Sequence, residues 1–192
     1  MITGGGVTSE FSAVDIEDVV FSSNHSDRDG GGIYTWSSVM NVTASQFTGN
    51  SANGKGGGIE TSGRVAADPG AYPRGITRIF TSTLTGNTAG SYGGAVNNSR
   101  DSRTMIMQST LNDNTAARGG GASTFGSSQF PGGLLKVYNS TLSGNTATVA
   151  GGGLYNSMSA VRMINATVAF NEAQNGGGLF NTPLATFDLG NS

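Results

Sequence analysis

The stretch STLSGNTATVAGGGLYN (residues 140–156) contains the unit that decides the fold. An apolar residue, Leu142, is followed three positions later by Asn145, and after a short link the glycines at 151–153 lead into a second apolar residue, Leu154. The stretch holds no acidic residue, histidine or cysteine, which are the side chains that metal sites and general acid–base catalysis use most. Its regular order therefore needs a structural explanation.

The same unit recurs along the whole chain. Glycine triplets or near-triplets follow one another at intervals of 26, 26, 37, 26, 32 and 25 residues, beginning at Gly4, Gly30, Gly56, Gly93, Gly119, Gly151 and Gly176. Five or six residues before each of the last six triplets stands an asparagine: Asn24, Asn50, Asn87, Asn114, Asn145 and Asn171. Three positions before each asparagine stands an apolar residue: Phe21, Phe47, Leu84, Leu111, Leu142 and Val168. A repeat near 26 residues with two longer intervals predicts a solenoid.

Alternation within each unit predicts β-strands. Five and seven residues before the apolar-x-x-Asn motif most units carry two further apolar residues, as Met40 and Val42 do, which is the period of two expected for a strand. Apolar and polar residues alternate again after the glycines. Three short strands cannot bury a core alone, but stacked coils can. The sequence therefore predicts an all-β parallel β-helix of about six coils of about 26 residues, with three short strands per coil.

The recurring asparagines are predicted to form a structural ladder. In a β-helix, equivalent residues of successive coils lie above one another, and a buried amide column can then hydrogen-bond along the stack and to the backbone at a bend. This prediction covers Asn24, Asn50, Asn87, Asn114, Asn145 and Asn171. The glycines are predicted to serve a bend or a close approach between backbones.

Two of the units carry a resemblance to a known family. Phe47-Thr48-Gly49-Asn50 with Gly56-Gly57-Gly58-Ile59, and Leu142-Ser143-Gly144-Asn145 with Gly151-Gly152-Gly153-Leu154, resemble the FxxN and GGA(I/L/V) repeats of polymorphic outer-membrane proteins. They are also similar to bacterial surface proteins whose right-handed parallel β-helix repeats have the pectin-lyase-like fold. The resemblance implies a right-handed helix in a secreted or surface-displayed protein that acts as an adhesin or a stalk.

The domain organisation follows from the repeat. We expect residues 1–192 to form a single β-helix domain and to be a fragment of a longer surface protein, with its signal and anchor outside this chain. The expected location is extracellular or at a bacterial cell surface. Because an open stack exposes unpaired strand edges, end-to-end self-association is a further expectation.

Composition excludes several classes of function. Charged residues make up 11% of the chain and the net charge is −2, so no basic field for nucleic acid is present. No run of 18 apolar residues exists, which argues against direct insertion into a membrane. The chain has no cysteine, and we predict neither a metal site nor a cofactor.

The two long intervals indicate where a ligand would bind. They place insertions near 62–75 and 125–133, both between the glycine strand and the next coil, with the link 98–103 between them. Arginine and aromatic side chains suit carboxylates and sugar rings, so we predict a carbohydrate or a host-surface ligand at this edge. The candidate ligand-binding residues are Arg64, Asp68, Tyr72, Arg74, Arg100, Asp101, Arg103, Phe125 and Phe130. Solvated loops without a ligand are the alternative interpretation.

The sequence leaves the enzyme question open and leans against catalysis. The alternative function is a carbohydrate-active enzyme of pectin-lyase-like fold, either a polysaccharide lyase or a glycoside hydrolase, but no catalytic residue can be assigned. The one histidine, His25, is predicted to lie on the surface. Ice binding by a threonine column at Thr83, Thr110, Thr141 and Thr167 is a minor alternative, since Gln46 and Val20 interrupt that column.

Overall fold

The computed structural model shows a right-handed parallel β-helix, which confirms the predicted fold class. It describes residues 4–63, 74–126 and 133–190, and these ranges contain strands and turns but no helix. Four parallel sheets run along the stack, and each coil contributes one strand to each sheet. We name them sheets A, B, C and D.

Sheets A and B have seven strands each. Sheet A follows the glycine triplets and consists of β1 (Val7–Glu10), β5 (Ile33–Trp36), β9 (Ile59–Ser62), β13 (Val96–Ser99), β17 (Ala122–Phe125), β21 (Leu154–Ser157) and β25 (Leu179–Asn181). Sheet B begins each coil and consists of β2 (Ala13–Glu17), β6 (Val39–Thr43), β10 (Ile76–Phe80), β14 (Arg103–Met107), β18 (Leu134–Tyr138), β22 (Ala160–Ile164) and β26 (Thr186–Gly190).

Sheets C and D have six strands each. Sheet C carries the apolar residue before the asparagine and consists of β3 (Val20–Ser22), β7 (Gln46–Thr48), β11 (Thr83–Thr85), β15 (Thr110–Asn112), β19 (Thr141–Ser143) and β23 (Thr167–Ala169). Sheet D follows the asparagine and consists of β4 (His25–Ser26), β8 (Ser51–Ala52), β12 (Thr88–Ala89), β16 (Thr115–Arg118), β20 (Thr146–Ala150) and β24 (Glu172–Asn175).

Sheet D corrects the predicted number of strands per coil from three to four. Three of its strands, such as Ser51–Ala52, have only two residues and cannot show a period of two, and register shifts interrupt the pairing of the longer ones. One small side chain of each sheet D strand from β4 to β20, as at Ala52 and Ala89, nevertheless points inward and is buried.

Rows of equivalent apolar side chains fill the interior. Phe47, Leu84, Leu111 and Leu142 are paired in register from coil to coil, and each is 0% exposed. At the lower end of this row, the rings of Phe21 and Phe47 stack with their centroids 4.7 Å apart. The inward residues of sheets A and B, such as Ile59 and Ile79, complete the same core.

The six repeated asparagines stand in one continuous ladder. The Asn87 side-chain Nδ2 donates to Asn114 Oδ1 at 3.0 Å and to the Phe47 carbonyl at 2.9 Å, while the Asn87 backbone N–H donates to the same Asn114 oxygen at 2.9 Å. Asn114 and Asn145 repeat the pattern one coil further on. Each central amide therefore donates and accepts as many hydrogen bonds as its chemistry allows.

The glycine triplets allow two backbone features. Gly56 has a φ of +62°, a left-handed conformation that side chains with a Cβ adopt at a cost. A Cβ on Gly57 would collide with the carbonyl oxygens of Gly94 and Thr88 in the next coil. The first glycine thus makes the bend and the second permits close stacking.

The two long intervals do not interrupt the stack. Most of the inserted residues, 64–73 and 127–132, lie outside the described residues. Beyond each of them the chain re-enters sheet B in register, with Ile76 opposite Val39 and Leu134 opposite Arg103. The coils on either side therefore pair as their neighbours do.

A serine ladder at the bend between sheets B and C gives a first prediction. Ser82 Oγ donates to the Phe80 carbonyl at 2.7 Å and accepts from the Ser45 N–H at 3.1 Å. Because the Ser45 N–H would lose its acceptor and the Phe80 carbonyl would keep only the Ala44 N–H as a donor, we expect Ser82→Ala to lower the free energy of unfolding by about 1–2 kcal/mol in urea denaturation.

Ala166 provides the control for this prediction. It holds the equivalent position one coil above Ser140 and cannot continue the ladder. Ala166→Ser is expected to leave the stability unchanged or to raise it by up to about 1 kcal/mol, because it would offer the Ser140 N–H an acceptor. If Ser82→Ala were neutral and Ala166→Ser destabilising, the hydroxyl ladder would not contribute to stability.

Candidate functional site

The outer face of sheet A carries polar and aromatic side chains that contact one another from coil to coil. Since Ile59 and Thr61 point into the helix, the alternating residues Glu60 and Ser62 point outward. By the same alternation, the outward residues of the other coils include Tyr34, Trp36, Asn97, Ser99, Ser123, Phe125, Tyr155 and Phe180.

Glu60 is the central polar residue of this face. Its side chain is only 1% exposed although it lies on the outside of the sheet. Asn97 Nδ2 donates to Glu60 Oε2 at 2.6 Å, and Ser99 Oγ donates to Glu60 Oε1 at 2.7 Å. Ser99 Oγ also lies 3.2 Å from Ser62 Oγ. One coil further on, the Asn97 Oδ1 accepts from Ser123, so the polar cluster spans three coils.

Burial makes the Glu60 carboxyl a weaker acid than an exposed glutamate. The loss of hydration raises the pKa of its carboxyl from 4.5 to about 8, and the negative charge of Asp29 adds to the rise. Lys55 and the two hydrogen bonds act in the opposite direction and reduce the rise. Burial, followed by the charge of Glu60, also raises the pKa of the Tyr34 hydroxyl above its ordinary range. At neutral pH the cluster therefore favours a protonated Glu60.

A second group of side chains on this side of the helix consists of aromatic rings and cations that contact one another. Tyr92 stacks on Phe125 with ring centroids 4.7 Å apart, and its ring lies 5.9 Å from Tyr155. Lys55 Nζ lies 5.0 Å from the centre of the Phe125 ring, and the Arg118 guanidinium lies 5.5 Å from that of Tyr92. These distances are within the range of cation–π interactions.

Two further ring contacts extend the aromatic row along the stack. The Arg100 guanidinium lies 4.8 Å from the centre of the Trp36 ring. Tyr155 stacks on Phe180 with centroids 5.6 Å apart. We call this set the aromatic face; it consists of Trp36, Tyr92, Phe125, Tyr155 and Phe180 with the cations Lys55, Arg100 and Arg118.

The candidate residues from the sequence occupy three different places. Arg100 and Phe125 belong to the aromatic face. Arg74 and Asp101 meet at the edge between sheets A and B, where Arg74 Nε lies 3.1 Å from Asp101 Oδ2. Arg103 begins a strand of sheet B and is exposed. The remaining four lie outside the described residues: Arg64, Asp68, Tyr72 and Phe130.

Sequence reasoning missed Glu60, Trp36, Tyr92 and Lys55. The sequence did contain a signal for some of them. In each strand that follows a glycine triplet, the residues one and three positions after the first apolar residue must point outward. These positions include Tyr34, Trp36 and Glu60. A glutamate and aromatic rings at such positions mark a face that differs from an ordinary solvated surface.

The side chains of this face are better suited to binding a ligand than to catalysis. Aromatic rings that are half-buried, such as Trp36 and Phe125, can stack on sugar rings while neighbouring arginines bind hydroxyl or carboxylate groups. Within the described residues, no group of three or more histidine, cysteine or acidic side chains is arranged to hold a metal ion. The described residues contain no helix with the length and apolar character that a transmembrane span requires.

The comparison with protein families supports the repeat assignment. Residues 18–35, 44–62 and 139–157 each match the model of the Chlamydia polymorphic membrane protein repeat. Each match includes an apolar-x-x-Asn motif of sheet C and the start of the following glycine strand. The proteins of that family are associated with the bacterial outer membrane and surface. No curated protein and no solved structure matches the chain significantly.

Proposed function

We propose, from the three polymorphic membrane protein repeats in this chain, that it is a structural and adhesive segment of a bacterial cell-surface protein and binds carbohydrate through the aromatic face. The repeat matches support the surface location. The aromatic face is the single observation that carries the binding proposal, because half-buried rings with cations over them offer a sugar both apolar surface and hydrogen-bond donors.

The position of the aromatic face agrees with a role in adhesion. It lies on sheet A beside the edge between sheets A and B, where Arg74 and Asp101 form an ion pair. The rigid stack beneath it fixes the spacing of the rings, since every coil is hydrogen-bonded to its neighbours. A preorganised row of this kind loses little conformational entropy when it binds an extended sugar chain.

A glycan-array screen tests this proposal. We expect the full chain to bind a restricted set of glycans, and Trp36→Ala to weaken that binding roughly tenfold, because one stacked ring contributes about 1–1.5 kcal/mol. Phe170→Ala is the matched control, since Phe170 is an aromatic residue that is 90% exposed outside sheet A. Equal binding by both variants would contradict the role of the aromatic face.

A carbohydrate-active enzyme is the second candidate, and Glu60 is the observation that favours it. An acid with a pKa of about 8 is protonated at neutral pH and could act as a general acid. Against this role, Glu60 is 1% exposed and both of its oxygens are hydrogen-bonded. Release of reducing sugars or unsaturated products by the native chain, lost in Glu60→Gln, would replace the adhesive proposal with the enzymatic one.

A further inference from the structure

We propose that the outer face of sheet B binds a sulfated or carboxylated polysaccharide. This site goes beyond the carbohydrate contact proposed for the aromatic face, because it lies on a different sheet and selects for negative charge. Its centre is a shallow pocket across three consecutive strands, β10, β14 and β18, lined by Ile76, Arg78, Arg103, Met105, Leu134 and Lys136.

The pocket combines cations and apolar side chains in alternation. In one row across the strands, Arg78 is opposite Met105 and Met105 is opposite Lys136. In the neighbouring row, Arg103 lies between Ile76 and Leu134. Each cation therefore has an apolar side chain beside it on a neighbouring strand, which suits a ligand that presents charged groups on a less polar ring.

The positive charge of this face is local. The chain carries a net charge of −2, yet the strands β10, β14 and β18 carry three cations and no acid. Among the residues that the structure describes, the side chains of Arg103 and Lys136 have no hydrogen-bond or ion-pair partner. Arg78 donates to the neutral side chain of Asn41 at 3.1 Å and so keeps its charge unpaired.

Two acids near this face are paired with other arginines. Asp101 binds Arg74, and Asp188 binds Arg162 through a contact of 3.0 Å between Nε and Oδ2. Asp15, on the first strand of the sheet, accepts from the neutral Asn41 at 2.6 Å and lies two coils from Arg78. An incoming polyanion would therefore meet three uncompensated charges at the centre of the sheet.

The spacing of the charges favours a polymer over a small anion. Coils stack at about 4.8 Å, so Arg78 and Lys136, two coils apart, are separated by about 10 Å, with Arg103 between them on the adjacent row. A single phosphate or carboxylate can contact one or two of these side chains. A polysaccharide with a charge on each repeating unit can contact all three.

Other classes of partner fit this face less well. Both edges of β14 are hydrogen-bonded to β10 and β18, so a peptide cannot add to the sheet by strand pairing. The apolar residues Met105 and Leu134 are half-buried and so offer less surface for insertion into a lipid layer than fully exposed side chains.

Titration of the full chain with a heparin octasaccharide tests the proposal. In 0.1 M salt we expect Arg78→Gln/Lys136→Gln to weaken binding roughly tenfold or more, and to reduce the slope of log affinity against log salt by about 2, because two counterion-releasing contacts are lost. The matched control is Thr88→Glu/Thr146→Glu, which changes the net charge by the same amount at exposed positions of sheet D. That control should retain most of the affinity.

Three results would overturn the proposal. They are an absence of heparin binding by the unaltered chain, an equal loss in both double variants, and binding to phosphatidylglycerol vesicles in place of heparin. The Trp36→Ala variant distinguishes this site from the aromatic face. It should lose affinity for neutral glycans and keep its affinity for heparin. Failure of one proposal therefore leaves the other intact.

Discussion

Replacing Asn114 by alanine is expected to lower the free energy of unfolding by about 3–5 kcal/mol, since several buried polar groups lose their partners together. The Asn87 N–H and side-chain amide would lose their acceptor at 2.9 and 3.0 Å. The Leu84 carbonyl and the Asn145 Oδ1 would lose the amide that donates to them. Asn114 is 0% exposed, so water does not reach these groups in the native stack.

Urea denaturation of Asn114→Ala beside Asn112→Ala measures this effect. Asn112 lies two residues earlier on the half-buried outer side of sheet C, where its side chain accepts from Thr85 at 2.7 Å. Its replacement should cost less than about 1 kcal/mol, because solvent can take the place of the lost partner. Equal midpoints and slopes for the two variants would mean that the asparagine ladder adds nothing to stability.

The free energy of unfolding of the native protein is expected to fall by about 3–5 kcal/mol as Glu60 loses its proton, and Glu60→Gln is expected to remove most of this pH dependence. The pKa of Glu60 is about 8 in the folded state and near its ordinary value of 4.5 in the unfolded chain. The folded state therefore binds the proton more tightly. The stability that this group contributes is complete below pH 4.5 and is lost as the pH rises through 8.

The comparison of Glu60→Gln with the native chain isolates this contribution. The neutral amide keeps the shape of the side chain, so the variant should be the more stable protein at pH 9 and should lose little stability between pH 5 and 9. Glu172→Gln, at an exposed position of sheet D, is the control and should follow the native curve. Parallel curves for all three proteins would show that Glu60 is not buried as a neutral acid.

Much of the fold could be predicted because a β-helix repeats its interior. Phe47 and Leu84 occupy one row only if their coils stack, and the same stacking brings Asn50 beside Asn87. Residues in such rows face one environment in every coil, so they remain similar and are visible in the sequence. Sheet D was missed because strands as short as two residues have no period.

The candidate site was harder to predict because outward positions face different surroundings in each coil. Tyr34, Glu60, Asn97 and Ser123 form one row on sheet A, yet the residue type differs in each coil. Their role depends on what lies above them, such as the Phe125 ring beside Lys55, and this contact joins residues 70 positions apart. No local pattern indicates a contact of that kind.

Distances between spin labels along sheet C test the central claim that each coil adds one layer whatever its length. Labels on cysteines at Ser22 and Asn112, at Ser22 and Ser143, and at Ser22 and Ala169 lie three, four and five coils apart. The native chain has no cysteine, so only these positions react. Stacked coils predict distances that increase by about 4.8 Å from pair to pair. Distances that grow with the number of residues between the labels, or that are broadly distributed, would contradict the account.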